Sequence, residues 1–347
     1  MKTTLKYELP LVLLTAGFLT ALASASEPAT LPVAITVPAN ATSREIQQAL
    51  DSLPDTGGEV ILQTGIYAVS QPVVLRRSSQ TLRGSGSSTV LRLADLANCP
   101  VLILGEPVNS PSRTVSGLAV ADLAIDGNRS QQQFEIWQTP KGDSEIRNNG
   151  ITVQGVTDSK IERVSAGHCR SGGLVTTYYV RRLVVREFAA FDSEFDGLAC
   201  YRTEDSLFVD LDLHDNQAAG ISFDLAVNHN IIRNASLAGN DLGIFMRDAR
   251  YNLFHQVQVR RCRNYGVFMA QSEAWTPAGW RLLAHSECTN NSFHDLRVSQ
   301  CGGAAVRVNN ASCVDNKILG GRFLDNPQGG VSQVSPNLVT EQLTVQP

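Results

Sequence analysis

Six glycines recur through the middle of this chain at an almost constant period. Their spacings are 23, 24, 23, 23 and 23 residues, at Gly150, Gly173, Gly197, Gly220, Gly243 and Gly266. A fixed period of this length is the signature of stacked structural repeats. Each period holds short β-type runs and has no room for two helices. The pattern predicts an all-β fold, a right-handed parallel β-helix with coils of about 23 residues.

The residues after each glycine alternate in polarity. The first and third are nearly all apolar, so we expect them to point into the core, with the second and fourth pointing outward. The fourth positions form an outward column: Gln154, Thr177, Tyr201, Asp224, Arg247 and Ala270. Neighbours in such a column lie about 4.8 Å apart. A phenol, a carboxylate and a guanidinium are therefore expected side by side on one face.

The two ends of the chain differ from this repeat. Residues 1–25 are predicted to be a signal peptide, because Lys2 and Lys6 precede an apolar run that ends in an Ala-Ser-Ala cleavage site. A retained membrane anchor is the alternative. Residues 26–335 are the predicted β-helix domain, with an N-terminal cap at about 40–66 that includes a short helix after a Thr-Ser-Arg-Glu capping box. Residues 336–347 are predicted to be a C-terminal tail.

Charge and cysteine content limit the partners and cofactors. The net charge is −4 and no basic stripe is visible, which argues against a nucleic-acid partner. Seven cysteines are present without a metal-type Cys-x-x-Cys. One disulfide is expected among Cys288, Cys301 and Cys313, with its connectivity open. We expect no cofactor, with calcium left possible, and a secreted or periplasmic monomer that has no membrane contact after cleavage.

Three segments carry a family resemblance. Residues 44–93 (REIQQALDSLPDTGGEVILQTGIYAVSQPVVLRRSSQTLRGSGSSTVLRL) resemble the opening of the pectate-lyase-like right-handed β-helix superfamily. Ile125–Arg129 and Phe191–Leu198 resemble segments of mannuronan C5-epimerase catalytic modules. The Tyr-Gly-Phe-Asp-Pro-His segment of those epimerases is replaced here by Gly172–Thr177. The resemblance implies chemistry on a polysaccharide, but other residues must then supply the acid and the base.

Tyr201, Asp224 and Arg247 are the predicted catalytic residues. Arg247 would bind the carboxylate of a uronic acid and lower the barrier to proton loss at C5. Tyr201 could move the proton, and Asp224 could orient or activate it. A weak surface salt bridge beside an exposed tyrosine is the alternative interpretation.

Two insertions interrupt the period on either side of the column, and they contain all three tryptophans. Trp137 lies in residues 128–148, and Trp275 and Trp280 lie in 272–288. Five strand spacings between them give a groove of roughly 24 Å. Aromatic rings suit stacking on sugar faces, although they could instead pin the loops. The predicted substrate-binding residues are Trp137, Thr177, Arg202, Asp248, Trp275 and Trp280.

These features favour a carbohydrate-active β-helix that binds an extended, uronic-acid-containing polysaccharide and acts as a C5 epimerase or lyase. A glycoside hydrolase is the enzymatic alternative, with Asp224 and either Asp248 or Glu204 as its carboxyl pair. A polysaccharide-binding or surface scaffold without catalysis is the other alternative.

Overall fold

The computed structural model describes residues 33–141, 145–276 and 279–346, and for residues 274–276 and 279–280 it describes the backbone only. The predicted signal peptide lies outside the described residues. No helix within those three ranges has the length and apolar character needed to cross a membrane.

Short strands make up almost all of the regular structure. The first fifteen are β1 (Ala34–Val37), β2 (Gly58–Leu62), β3 (Gly65–Val69), β4 (Val73–Leu75), β5 (Gln80–Arg83), β6 (Thr89–Leu93), β7 (Leu102–Leu104), β8 (Val115–Ser116), β9 (Ala119–Asp126), β10 (Ile151–Gln154), β11 (Val156–Thr157), β12 (Lys160–Gly167), β13 (Leu174–Thr177), β14 (Val180–Arg181) and β15 (Val184–Phe191). The others are β16 (Leu198–Cys200), β17 (Thr203–Glu204), β18 (Leu207–His214), β19 (Ala219–Asn228), β20 (Ile231–Ala238), β21 (Leu242–Arg250), β22 (Leu253–Arg260), β23 (Val267–Ala270), β24 (Glu273–Thr276), β25 (Gly279–Leu282), β26 (Ser292–Ser299), β27 (Val306–Val308), β28 (Lys317–Leu324), β29 (Val331–Gln333) and β30 (Val339–Gln346). One helix, α1 (Ser43–Ser52), and two 3₁₀ turns, Arg129–Gln131 and Ile136–Gln138, complete the regular structure of the described residues.

The strands form two long sheets in which partners come from successive coils. The first sheet runs β1-β2-β5-β9-β12-β15-β18-β20-β22-β26-β28-β30, with β3 and β6 beside this path. The second runs β29-β27-β23-β21-β19-β16-β13-β10-β7-β4, with the short strands β8, β11, β14 and β17 beside it. Pairing within both sheets is parallel, whereas β24 and β25 form an antiparallel hairpin. This arrangement is a parallel solenoid.

The core follows the alternation that the sequence predicts. The residues after the repeated glycines pair in one register across β10, β13, β16, β19, β21 and β23, and all are fully buried: Ile151, Leu174, Leu198, Ile221, Ile244 and Val267. Each coil buries one apolar residue of this column, so the solenoid has a continuous core. This burial is the main stabilising term.

The repeated glycines are explained by the close approach of neighbouring coils. A Cβ atom built on Gly243 would lie 2.4 Å from the carbonyl oxygen of Gly266 and 2.3 Å from Cγ1 of Val259. The next glycine in the column is equally confined, since a Cβ on Gly266 would lie 2.5 Å from the carbonyl oxygen of Ala305. The period therefore marks the position where backbone from the following coil leaves no room for a side chain.

We expect Gly243→Ala to destabilise the protein by about 2 kcal/mol, because overpacking forces shifts in a closely packed interior. The shift must involve the backbone of the next coil, which cannot rotate away as a side chain can. Denaturant unfolding followed by circular dichroism measures the effect. An unchanged unfolding midpoint would show that the coils can separate at this position without cost.

A ladder of buried asparagines lines one turn of the solenoid. The side-chain oxygen of Asn252 accepts hydrogen bonds from the backbone N–H and the side-chain N–H of Asn230, at 3.0 and 3.1 Å. Asn291 does the same for Asn252, and Asn316 does the same for Asn291. Each rung satisfies polar groups that the buried turn would otherwise leave unpaired.

The N-terminal cap lies where the sequence places it. Helix α1 begins after the N-cap residue Thr42, whose side chain accepts from the backbone N–H of Glu45, while the Glu45 carboxylate accepts from the backbone N–H of Thr42 at 2.7 Å. Ile46 and Leu50 are buried. The helix thus presents its apolar face to the first coil.

The C-terminal end differs from the prediction. β30 pairs with β28 from Val339 through Gln346, so the solenoid extends past the predicted boundary at residue 335. No described strand pairs with the outer edge of β30, and its side chains are exposed apart from Leu343, which is half-buried. A strand with so little to bury needs few apolar residues, which explains why the period fades in the sequence.

Candidate functional site

The residues of the outward column lie on neighbouring coils of the second sheet. Asp224 pairs with Arg247, and Arg247 pairs with Ala270. Tyr201 follows Cys200, which pairs with Phe223 on the next coil. The phenol, the carboxylate and the guanidinium therefore belong to three successive coils.

One end of this column is covered. Gln154 is fully buried, and its side-chain N–H groups donate to the carbonyl oxygens of Glu106 and Val108. A segment from an earlier coil thus closes the column at Gln154. The exposed part of the column begins with Thr177 on the next coil.

Asp224 and Arg247 form an ion pair across the two coils. The closest carboxylate and guanidinium atoms are 2.5 Å apart, and the two side chains are 16% and 36% exposed. The Arg247 guanidinium also lies 5.0 Å from the ring centroid of Phe245. Its Nε is buried without a hydrogen-bond partner in the described part of the chain. The pair is present, as the alternative interpretation supposed, and the Arg247 side chain remains partly exposed beside it.

The described part of the first insertion, residues 128–148, covers the groove and is called the overhang below. Trp137 is 55% exposed, and its ring makes an edge contact with Phe195 at 6.0 Å. The Arg147 guanidinium lies beside both rings, 4.4 Å from the centroid of Phe195 and 5.4 Å from that of Trp137. Trp137 therefore both packs the overhang and exposes much of its surface to the groove.

A buried ion pair fixes the overhang. Glu135 is fully buried, and its Oε1 accepts from Nε of Arg147 at 2.8 Å. The side chain of Asn148 adds two hydrogen bonds to the same turn, to Ile136 and Phe134. Oε2 of Glu135 and Nη2 of Arg147 have no partner among the described residues. The Arg147 guanidinium is thus held in place by the Glu135 carboxylate.

The overhang and the column enclose a cavity of about 460 Å³. Its charged and aromatic lining residues are Trp137, Arg147, Phe195, Asp196, Tyr201, Asp224, Asp241, Phe245 and Arg247. An adjoining cavity of about 330 Å³ shares Trp137, Arg147 and Tyr201 and adds Thr177. The two together form a groove in which Tyr201 lies at the junction.

Asp196 is a site residue that the outward column does not contain. Its carboxylate accepts from the backbone N–H of Ala219 at 2.8 Å. The pKa of Asp196 is raised to about 6, mainly by burial and to a smaller extent by the nearby charge of Asp224, while the Ala219 N–H and Arg147 act in the opposite direction. Asp196 lies in a turn, immediately before Gly197. The alternation of strand residues does not assign such a position to the groove. The Phe-Asp-Gly-Leu resemblance was the one sequence signal for it.

Tyr201 is a neutral phenol near neutral pH. Burial raises the pKa of Tyr201 above its ordinary value, and the nearby carboxyl groups of Asp196 and Asp224 add to this effect. A phenol in this state donates a proton or a hydrogen bond more readily than it removes a proton. The cavity therefore contains a phenol that keeps its proton, Tyr201, and a carboxyl group with a pKa of about 6, Asp196.

Two predicted binding residues lie outside both cavities. Arg202 has a left-handed φ of 47° and stacks beside Tyr178, with the guanidinium 5.6 Å from the ring centroid. Asp248 has a left-handed φ of 46°, and its carboxylate accepts from the backbone N–H of Ala226 at 2.9 Å. Arg202 thus stacks on a ring that lines the smaller cavity, and the Asp248 carboxylate is held by the backbone of a turn, so a role for either residue in substrate binding stays a prediction.

The second insertion contains the hairpin β24–β25, in which Trp275 pairs with Trp280 through the backbone. The side chains of both tryptophans lie outside the described part of the structure, so their proposed stacking on sugars stays a prediction. Across the described residues there is no group of three or more His, Cys, Asp or Glu side chains arranged for a metal ion.

Residues 213–340 match the family described as "right handed beta helix region". The chain is a right-handed parallel β-helix. This β-helix is similar to the A-module of the mannuronan C-5 epimerase AlgE6 from Azotobacter vinelandii, with a TM-score of 0.60 and 15% identity over 88% of this chain and 95% of that one. No curated protein matches its sequence.

Two further solved structures share the fold. A polygalacturonase from Erwinia carotovora ssp. carotovora has a TM-score of 0.65 and 9% identity over 91% of this chain and 98% of that one. The ORF18 protein of Geobacillus virus E2 has a TM-score of 0.67 and 14% identity over 90% of this chain and 63% of that one. At such identities the likeness concerns the fold, and function must be argued from the site.

Proposed function

We propose that this β-helix acts on an extended, uronic-acid-containing polysaccharide by removing the proton at C5, as an epimerase or a lyase. The observation that carries the proposal is the content of the larger cavity. It combines a carboxyl group with a pKa of about 6, a neutral phenol and two guanidinium groups. Proton transfer next to a carboxylate needs a base, an acid and a cation.

The cations would act on the sugar carboxylate. Loss of the C5 proton spreads negative charge onto that carboxylate, and fixed cationic donors stabilise the charge where it develops. Arg147 and Arg247 place positive charge at the cavity, one from the overhang and one from the column. Asp224 would hold the Arg247 guanidinium in place through their ion pair.

Asp196 is the proposed base and Tyr201 the proposed acid. Asp196 is ionised above a pH of about 6 and can then accept the C5 proton. Tyr201 keeps its proton and can return one to C5 from the other face, which gives epimerisation. Donation to the departing glycosidic oxygen would instead give elimination. The sequence led us to expect that Tyr201 moves the proton and that Asp224 orients or activates it; this assignment adds Asp196 as the base.

The comparisons support the substrate class. Two structures with this fold are named a mannuronan C-5 epimerase and a polygalacturonase, so polymers of uronic acids are reasonable first substrates. We further propose that the mature chain is a monomer in the periplasm or outside the cell, where such polymers occur. Calcium dependence is tested by comparing reactions with calcium and with a chelator.

The experiment incubates the mature chain with alginate, pectin and neutral polysaccharides in deuterated water. Deuterium incorporation at C5 without shortening of the polymer indicates an epimerase. New ultraviolet absorbance from an unsaturated sugar indicates a lyase. Binding to a uronic-acid polymer with neither signal would reject the enzymatic proposal and favour the non-catalytic scaffold.

We expect Tyr201→Phe to lower turnover by about 10²-fold or more, because removal of a positioned acid typically costs that much. The phenyl ring retains the packing of Tyr201, so the unfolding midpoint should change little. Turnover is compared with that of wild type on whichever substrate the panel identifies. Equal turnover in both proteins would remove Tyr201 from the mechanism.

Hydrolysis is the second candidate, because Asp196 and Asp224 line the same cavity with different environments. Burial raises the pKa of Asp196, whereas Asp224 is paired with Arg247. Carboxyl groups that differ in this way suit the acid and base of a glycoside hydrolase. Glu204, proposed earlier as a partner, lies outside the cavity and 3.7 Å from Arg181. New reducing ends without unsaturated product would favour this candidate.

A further inference from the structure

Two cysteines of neighbouring coils lie next to each other in the turns that follow β22 and β26 of the first sheet. Cys262 follows Arg260 by two residues, and Cys301 follows Ser299 by two residues, while Arg260 and Ser299 pair in the sheet. The backbone N–H of Gly302 donates to the carbonyl oxygen of Cys262 at 3.0 Å, so the register continues into the turn. The two thiols are in hydrogen-bond contact.

A second pair is stacked beside the asparagine ladder. Cys288 and Cys313 each precede a rung by three residues, Asn291 and Asn316 respectively. The side-chain N–H of Asn316 donates to the carbonyl oxygen of Cys288 at 2.9 Å. The thiols of Cys288 and Cys313 are also in contact.

The spacing of the cysteines in both pairs suits a disulfide bond. Residues stacked in adjacent coils have Cα atoms about 4.8 Å apart, within the range of about 4.4–6.8 Å that disulfides require. All four side chains are buried. The other cysteines have different surroundings, because Cys169 contacts Ser193, Cys200 contacts Thr176, and Cys99 is half-buried near the N-terminal end.

We propose that the mature protein contains two disulfides, Cys262–Cys301 and Cys288–Cys313, each joining one coil to the next. Formation of each bond breaks two S–H bonds and releases two protons and two electrons. The acceptor is the disulfide of a thiol oxidoreductase or of a small thiol compound, which is reduced to two thiols. Cys288–Cys313 is one of the pairings that the sequence left open, Cys262–Cys301 is an additional bond, and the odd cysteine count is accounted for because Cys99, Cys169 and Cys200 stay reduced.

The two disulfides would restrain the segment that contains the second insertion. The hairpin β24–β25 lies between Cys262 and Cys288, so each flank of that segment would be tied to the following coil. Disulfides persist in oxidising compartments. The proposal therefore predicts folding outside the cytoplasm from evidence that is independent of residues 1–25 and of the proposed catalysis.

The test labels free thiols in the full chain. The chain is purified after export to an oxidising compartment, or is incubated with oxidised glutathione, and is then alkylated in denaturant without reductant. We expect labelling only at Cys99, Cys169 and Cys200. Tryptic digestion should then give peptide 282–297 linked to 308–317, and 262–263 linked to 298–307. Labelling of all seven cysteines after both preparations, or any other pairing, would overturn the proposal.

A pair of variants separates the cross-links from the loss of buried thiols. The double variant Cys262→Ser/Cys301→Ser should retain the peptide link between Cys288 and Cys313, and reductant should lower its Tm by less than it lowers that of wild type. The control Cys200→Ser loses a buried thiol that we do not assign to a disulfide, so reductant should lower its Tm as much as in wild type. An equal reductant effect in the double variant and wild type would contradict the Cys262–Cys301 bond.

Discussion

Asp196→Asn is expected to lower turnover by about 10²-fold or more and, at the same time, to stabilise the folded protein at neutral pH. The asparagine oxygen can still accept from the Ala219 N–H, so the turn keeps its hydrogen bond. The variant cannot carry a negative charge. If Asp196 is the base, activity and stability should therefore change in opposite directions.

The pH dependence of the free energy of unfolding provides a second test of the raised pKa of Asp196. The pKa of Asp196 is raised from its ordinary value of 3.8 to about 6, so between these values the folded state binds more protons than the unfolded state. Stability then falls as pH rises through this window, by up to about 3 kcal/mol for a shift of about two units. Turnover that depends on ionised Asp196 should rise over the same window.

Denaturant unfolding at pH 4 and pH 7.5 measures this contribution. We expect Asp196→Asn to reduce the difference between the two pH values relative to wild type. Asp212→Asn is the matched control, since Asp212 is an exposed carboxylate on the first sheet and should leave both measurements as in wild type. A loss of stability at pH 7.5 in Asp196→Asn would show that the ionised form is the one that the fold favours.

Arg147→Met is expected to destabilise the overhang by about 3 kcal/mol, because removal of one partner leaves a buried charge without compensation. The methionine side chain can still pack on Phe195, so the loss is mainly electrostatic. Glu135 is fully buried and its Oε2 already has no partner among the described residues. Tm and limited proteolysis within residues 128–148 measure the effect.

The double variant Glu135→Gln/Arg147→Met distinguishes a structural role of Arg147 from a binding role. Without the charge on Glu135, most of the lost stability should return. If Arg147 binds the sugar carboxylate, KM on a uronic-acid polymer should remain raised about tenfold or more, in line with loss of a charge-assisted hydrogen bond. A double variant with both stability and KM restored would limit Arg147 to holding the overhang.

The fold was accessible to sequence analysis because its constraints repeat. Each coil must keep a glycine where the next backbone approaches, and it must bury the same alternate positions. Six copies of these constraints make the pattern visible. The last strand had no such signal, because β30 has little apolar surface to bury.

The site was only partly accessible. Tyr201, Asp224 and Arg247 are in regular strand positions, so alternation places them together. Asp196 lies in a turn, and Arg147 reaches the groove only because the overhang folds back over Phe195. Contacts of this kind depend on how an irregular segment packs, and no periodic pattern encodes that.

The stacking of coils has a consequence for how such a groove can change in length. Each strand of the second sheet pairs only with strands of adjacent coils, and each coil adds about 4.8 Å along the axis. Insertion of one whole coil between β16 and β19 would separate Tyr201 from Asp224 and disrupt the site. The same insertion after β23 would leave the reacting groups untouched and lengthen the surface beside them. The number of sugar units bound and the reaction performed on one of them are thus free to evolve separately, in steps of one coil.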